Sequence, residues 1–285
     1  MRINANNSRL PNLDFESALW KQGFNFVAGV DEVGRGAWAG PLVASTVVFA
    51  NERVLSQVFL QENPQGDPFL EALLPAPPAK IIIDDSKRLT STQREEAAEW
   101  IRENCLAWGI GEIGPRLINS IGMAKASKMV FRRAVVDCNR RLGLSGASSQ
   151  LAGNQVLGKL ITEKLKTNNQ NLKNRIDFLL IDAFYIPYVR GIRHDHQTPI
   201  IKGDQKSFSI AAASIIAKVY RDALMISLSK KFKFKKYNWA KNKGYGTKEH
   251  QNEILRNGLT GLHRVQFVES WRNRENTRNF TQNNA

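Results

Sequence analysis

Four acidic side chains in this sequence are delivered by apolar runs. Asp31 and Glu32 follow Phe26-Val-Ala-Gly-Val30, Asp182 follows Phe178-Leu-Leu-Ile181, and Asp204 follows Pro199-Ile-Ile-Lys-Gly203. Carboxylates are costly in or near a core unless they are paired or hold a metal. The bland readings are a solvated strand end for Asp31-Glu32 and a helix cap for Asp204. Adjacent strand residues point to opposite faces, so Asp31 and Glu32 serve one site only if the chain bends there, which Gly34 and Gly36 permit. A further pair, Asp84-Asp85, follows Lys80-Ile-Ile-Ile83, and its neighbours Ser86-Lys87 are equally suited to holding a phosphate. Oxygen donors without a cysteine or histidine cluster point to a hard divalent ion such as Mg²⁺, which binds through a few carboxylates plus substrate phosphate. The chemistry that such an ion supports is phosphodiester hydrolysis by an activated water.

The elements that must position these acids alternate between strand and helix. Phe26 to Val33, Leu42 to Ala50, Ala107 to Ile113, Ile176 to Ile181 and Pro199 to Ile201 read as strands. Thr90 to Glu103 reads as a helix with Thr90 as its cap. Ser120 to Leu142 and Ser207 to Leu228 have helical spacing, the second with small residues, Ala211 to Ser214 and Ala217, for close packing on a sheet. This order predicts a mixed α/β sheet. The organisation expected is an N-terminal arm over 1–25, a catalytic domain over 26–229, and a basic helical region over 230–285 that includes a helix from Lys248 to Asn257. Proline-rich 51–79 and Gly/Ser/Asn-rich 143–175 read as insertions.

The chain has 285 residues and a formal charge of +15. Beyond residue 229, thirteen Lys and Arg face four Glu, so that stretch carries +9 of the total, interleaved with Phe232, Phe234, Tyr237, Trp239 and Tyr245. Cations mixed with aromatics suit a sugar-phosphate backbone; a solvated basic tail is the alternative. Two cysteines, Cys105 and Cys138, exclude a disulfide scaffold and a four-cysteine zinc site. No apolar run approaches the ~20 residues needed to span a bilayer, and polar Met1 to Leu13 does not read as a secretory signal. A cytoplasmic protein is expected.

Rival motifs are weaker. Gly34-Arg-Gly36-Ala-Trp-Ala39 fits a loose dinucleotide fingerprint, yet Pro41 and a β-prone run follow where that motif needs a helix. His194, His196, His250 and His263 lack metal spacing and read as surface or packing residues, with His250 or His263 as possible substrate contacts.

Taken together, VAGVDEVGRGAWAGPLVAS (27–45), DDSKRLT (84–90), LLIDA (179–183), IKGDQKSFSIAAASIIAKVYRD (201–222) and NKGYGTKEHQNEILRNGLTGLHRVQF (242–267) resemble ribonuclease HII. The resemblance implies an α/β, ribonuclease-H-like mixed central sheet flanked by helices, with a C-terminal helical extension. It implies endonucleolytic cleavage of RNA in RNA/DNA hybrids and incision 5′ of single ribonucleotides in duplex DNA, leaving 5′-phosphate and 3′-hydroxyl ends. It implies one or two Mg²⁺ or Mn²⁺ ions held by Asp31, Glu32, Asp182 and Asp204. Gly34, Arg35 and Gly36 fall on the motif that reads the 2′-hydroxyl, and Tyr245 falls on the tyrosine that stacks on the next sugar. Ser86, Lys87, Lys202, Ser207 and Lys218 fall where phosphate or metal-site support is expected. Two departures are visible: Asp84 adds a carboxylate where the family commonly has Asn, and Asn119 stands where it often has Asp, a change expected to matter little. A monomer with no membrane partner is expected. The alternatives are a type HIII enzyme and a non-catalytic nucleic-acid-binding module.

Overall fold

A computed structural model describes residues 10–51, 77–144 and 175–283. The expected insertions fall almost wholly on 52–76 and 145–174, outside the described residues. In chain order the elements are α1 (Asp14–Lys21), β1 (Val27–Val33), β2 (Leu42–Val48), α2 (Ser91–Asn104), β3 (Ala107–Ile113), α3 (Pro115–Ile121), α4 (Met123–Leu144), β4 (Phe178–Asp182) and β5 (Gln197–Ile200). There follow α5 (Phe208–Lys230), α6 (Trp239–Asn242), α7 (Lys248–Asn257) and α8 (Val265–Asn283). The five strands form one mixed sheet in the order β3-β2-β1-β4-β5, flanked by helices.

Local chemistry sets the boundaries. Thr90 and Gln93 form a reciprocal capping box at the start of α2. Gly122, at φ 79°, separates α3 from α4, so the single helix expected over 120–142 is two. Neither α1 nor α8 was legible from apolar periodicity.

The chain divides into two compact units: Met1–Asp31, Ala44–Gly111 and Phe131–Val219 make the first; Glu32–Val43, Glu112–Val130 and Tyr220–Ala285 make the second. In the first, β2 and α2 bury Val47, Phe49, Ala97, Ala98 and Ile101 against Phe208, Ala211, Ala212, Ala213, Ile215 and Ile216 of α5. The small residues of α5 let backbones meet: a Cβ at Gly29 of β1 would stand 2.1 Å from the Ser209 carbonyl carbon. Gly109 gives β3 a similar contact with α4, where a Cβ would stand 2.2 Å from the Cys138 nitrogen. Cys105 and Cys138 are free and buried, and burial pushes the Cys105 thiol up to about 12. In the second unit, Ala39, Met225, Tyr237, Trp239, Ile254, Val268 and Trp271 form the core. Among the described residues no helix is long and apolar enough to cross a membrane.

Candidate active site

Three of the four acids converge because of strand register. Parallel β1 and β4 pair Val30 with Ile181, so the next residue on each strand is Asp31 and Asp182. Parallel β4 and β5 pair Asp182 with Ile200, and Asp204 lies four residues further on, in a single 3₁₀ turn over Gly203–Gln205. The three acids thus lie at or just past the carboxyl ends of adjacent parallel strands, where open α/β sheets place their ligands.

The connections are tight. The Gly203 amide donates to Asp182 Oδ1 at 2.8 Å. A Cβ at Gly203 would stand 2.7 Å from Ile210 Cδ1 and 3.4 Å from Asp182 Oδ1, so glycine permits this approach. Ala183 and Lys202, which follow one acid and precede the turn bearing another, both adopt left-handed backbone, φ 72° and 55°. Such non-glycine conformations cost about 1–2 kcal/mol each and cluster at functional sites.

Lys87 provides the positive charge. Its Nζ is 3.4 Å from Asp204 Oδ2 and 3.7 Å from Asp85 Oδ1. Burial works against the Lys87 charge, but Asp85, Asp204 and Asp31 outweigh it and hold the ammonium above its ordinary value. Asp204 is raised, first by burial and then by the like charges of Asp85 and Asp182, with Lys87 offsetting part of this. Burial alone would also raise Asp85. The Lys87 amide and the Gln205 side chain hydrogen-bond its carboxylate, at 2.9 and 3.1 Å, and bring it below the usual range. The added carboxylate, Asp84, accepts from the Asp85 amide at 2.7 Å and lies 3.5 Å from Arg88 Nη1. It shapes the loop, and Asp85 is the one that joins Lys87.

The other expected residues take distinct places. β1 continues as strand through Val33, and Glu32 Oε1 lies 3.5 Å from Arg35 Nη1. The Ser86 hydroxyl is buried and paired with Ser214 at 2.9 Å, which ties the loop to α5. The Ser207 hydroxyl donates to buried Glu16 of α1 at 2.6 Å. Lys202 is exposed. Among the described residues no group of three or more His, Cys, Asp or Glu is arranged to hold a metal ion.

The second unit carries Gly34-Arg35-Gly36 and Tyr245 in one body. Gly244 O accepts from the amides of Trp38 and Ala39 at 2.8 and 3.0 Å. A Cβ at Gly244 would stand 2.4 Å from Ala39 O, and one at Gly246 would stand 2.2 Å from the Trp38 ring, so glycine on either side of Tyr245 lets the two loops touch. Half-buried Tyr245 has the Arg221 guanidinium carbon 5.5 Å from its ring centre. The Tyr245 carbonyl accepts from His250 Nδ1 at 2.9 Å, and His250 Nε2 then accepts from Trp239 Nε1 at 3.1 Å and from His263 Nε2 at 3.2 Å. His250 and His263 are 0 % and 1 % exposed. They are packing residues, and burial removes them as substrate contacts.

Spacing gave no sign of Arg221 and Arg264, both fully buried, whose guanidinium groups donate to carbonyls of the Gly34–Pro41 loop. It also understated Asn119. Its Nδ2 donates to His263 O and its Oδ1 accepts from the Val265 amide, each at 3.0 Å, so it holds the start of α8.

Residues 79–270 match the model of the ribonuclease HII family. The chain is 34 % identical over 255 residues to ribonuclease HII of Caldanaerobacter subterraneus subsp. tengcongensis, covering 90 % of this chain and 79 % of that one. It is 34 % identical over 260 residues to ribonuclease HII of Bacillus subtilis, covering 90 % and 76 %. The fold is also that of ribonuclease H2 from Pyrococcus horikoshii OT3, with TM-score 0.50, 19 % identity, and coverage of 87 % and 99 %. With the family model matching from the Asp84-Asp85 loop through Asp182, Asp204 and the Tyr245 segment, the chain belongs to the ribonuclease HII family and is an endonuclease that hydrolyses RNA in RNA/DNA hybrids.

Proposed function

We propose that this enzyme also incises duplex DNA on the 5′ side of single embedded ribonucleotides, leaving 5′-phosphate and 3′-hydroxyl ends. We assign Asp31, Glu32, Asp182 and Asp204 to hold one or two Mg²⁺ or Mn²⁺ ions. The observation that carries this reading is the delivery of Asp31, Asp182 and Asp204 by adjacent strands to one electrostatically coupled group around Lys87. The donors are carboxylate oxygens, which fit a hard cation bound through a few carboxylates plus substrate phosphate. Such an ion supplies an acidified water and neutralises charge that develops on the phosphate.

The chain's own residues do the rest. Lys87, poised between Asp85 and Asp204 with most of its side chain exposed, balances the acids and moves to a phosphate oxygen when substrate arrives. Exposed Lys202 adds a second cation for the backbone. Buried Ser86 and the Gln205–Asp85 contact keep Lys87 in place. The amides and side chain of Gly34-Arg35-Gly36 read the 2′-hydroxyl, the group that separates RNA from DNA. Tyr245 stacks on the following sugar and favours a deoxyribose. The cations of 230–285 grip the phosphates of the duplex, and the enzyme acts as a monomer.

The test is incubation with a duplex that contains one ribonucleotide, with Mg²⁺ or Mn²⁺, the ends being mapped on a sequencing gel. A cut 5′ of the ribonucleotide is expected. Cleavage of long hybrids alone would overturn the single-ribonucleotide reading.

A further inference from the structure

Arg221 and Arg264 are two buried cations whose hydrogen bonds end on main-chain carbonyls. Arg264 Nη1 donates to Gly34 O at 2.6 Å and Arg35 O at 3.0 Å, while its Nε and Nη2 donate to Gly40 O at 3.2 and 3.0 Å. Arg221 donates to Pro41 O, Lys243 O and Ala39 O at 2.9, 2.9 and 3.1 Å. A buried charge with only neutral acceptors is an expensive way to fasten a loop: burial, and then the neighbouring Arg221 charge, pull Arg264 down to about 9.

The peptide plane converts this clamp into a direction. In a trans peptide the C=O and the following N–H point opposite ways, and no cis bond occurs among the described residues. Arg264 draws in the carbonyls of Gly34 and Arg35, so the amides of Arg35 and Gly36 both point away from it. That side is open: Arg35 and Gly36 are exposed, and a Cβ at Gly36 would meet nothing within 4 Å. Gly34, at φ 86°, adds a left-handed step just before these two amides, the kind of turn in which successive amides line a concavity that binds oxygen-centred negative charge.

We propose that Arg264 is a positioning residue for substrate recognition, aiming the Arg35 and Gly36 amides at sugar and phosphate oxygens of the ribonucleotide. It acts through the loop and does not touch substrate. The inference rests on the assignment of Gly34-Arg35-Gly36 as the ribonucleotide contact. Lysine at 264 keeps the charge, but a single nitrogen cannot serve carbonyls at both ends of the loop, so the amides lose their common direction.

The experiment compares affinity for a duplex carrying one ribonucleotide with affinity for the same all-DNA duplex, in EDTA to prevent cleavage. The proteins are wild type, Arg264→Lys, Arg264→Gln and Ile254→Ala, the last a core truncation in the same unit that controls for reduced stability. The wild-type preference for the ribonucleotide should fall roughly tenfold in both Arg264 variants, the scale of one oriented hydrogen bond, and persist in Ile254→Ala. In wild type, amide exchange at Gly36 should slow with the ribonucleotide duplex and not with DNA, a readout that holds even if the Arg264 variants fold poorly. Retained preference in Arg264→Lys, loss in Ile254→Ala, or an unaffected Gly36 amide each overturns the proposal. A wild type with no preference overturns instead the assignment of the loop.

Discussion

Acid should loosen the second unit through His263. The hydrogen bonds fix its neutral form: Nδ1 accepts from the Thr260 amide at 2.9 Å while Nε2 faces His250 Nε2. Burial, then the neighbouring His250, lowers its pKa from 6.5 to about 4. Between those values the unfolded chain binds more protons than the folded one, so stability is fully present above pH ~6.5 and is lost as pH falls toward 4. At ~1.4 kcal/mol for each pH unit, the gap amounts to about 3 kcal/mol in full, of which about 2 kcal/mol is lost by pH 5. His250 is lowered too, first by burial, and adds in the same direction. The assay is urea unfolding of wild type and His263→Asn between pH 7.5 and pH 5. The variant keeps an acceptor for the Thr260 amide and cannot titrate, so the wild-type advantage should shrink by about 2 kcal/mol across that range. Parallel profiles for the two proteins would refute the argument.

The other predictions follow from single interactions. Asn119→Asp should lower stability by about 1–3 kcal/mol, because it turns a donor to His263 O into an acceptor; an unchanged melting temperature would contradict this. Substitution of Lys231, Lys233, Lys235 and Lys236 by Gln should flatten the plot of log affinity for a long hybrid against log salt by roughly 3–4, at ~0.9 for each phosphate that is no longer neutralised. These lysines flank Phe232, which is 97 % exposed. An unaltered slope would remove this segment from the duplex-binding surface.

Asp31 and Asp182 were easy to place because each follows an apolar run that forms a buried strand, whereas Asp204 sits in a 3₁₀ turn past a short strand. The helix after Thr90 was legible from its cap, which forms; the helix from Lys248 to Asn257 also forms, and the structure adds its cap, Thr247. α8 was not legible: Val265 to Asn283 is mostly polar, and only Val268 and Trp271 of its described side chains are buried. The Arg264 clamp was invisible for another reason. Its acceptors are main-chain carbonyls more than two hundred residues away, and carbonyls leave no mark in a sequence. Asn119 was undervalued likewise, since a side chain that bonds only backbone shows neither charge nor spacing. The Asp84-Asp85 pair was legible as chemistry but not in its division of labour, which depends on how the loop turns back on its own amides.

The proposed site requires that the carboxylates at the strand ends carry the hydrolysis. Asp182→Asn tests it most directly, because asparagine preserves both shape and the acceptor for the Gly203 amide while removing the charge. Single-turnover cleavage of an RNA/DNA hybrid in Mg²⁺ should fall by roughly 10²–10³-fold or more, the scale on which losing one charge-stabilising group slows a reaction, with hybrid affinity unchanged. Near-wild-type cleavage by Asp182→Asn would contradict the account.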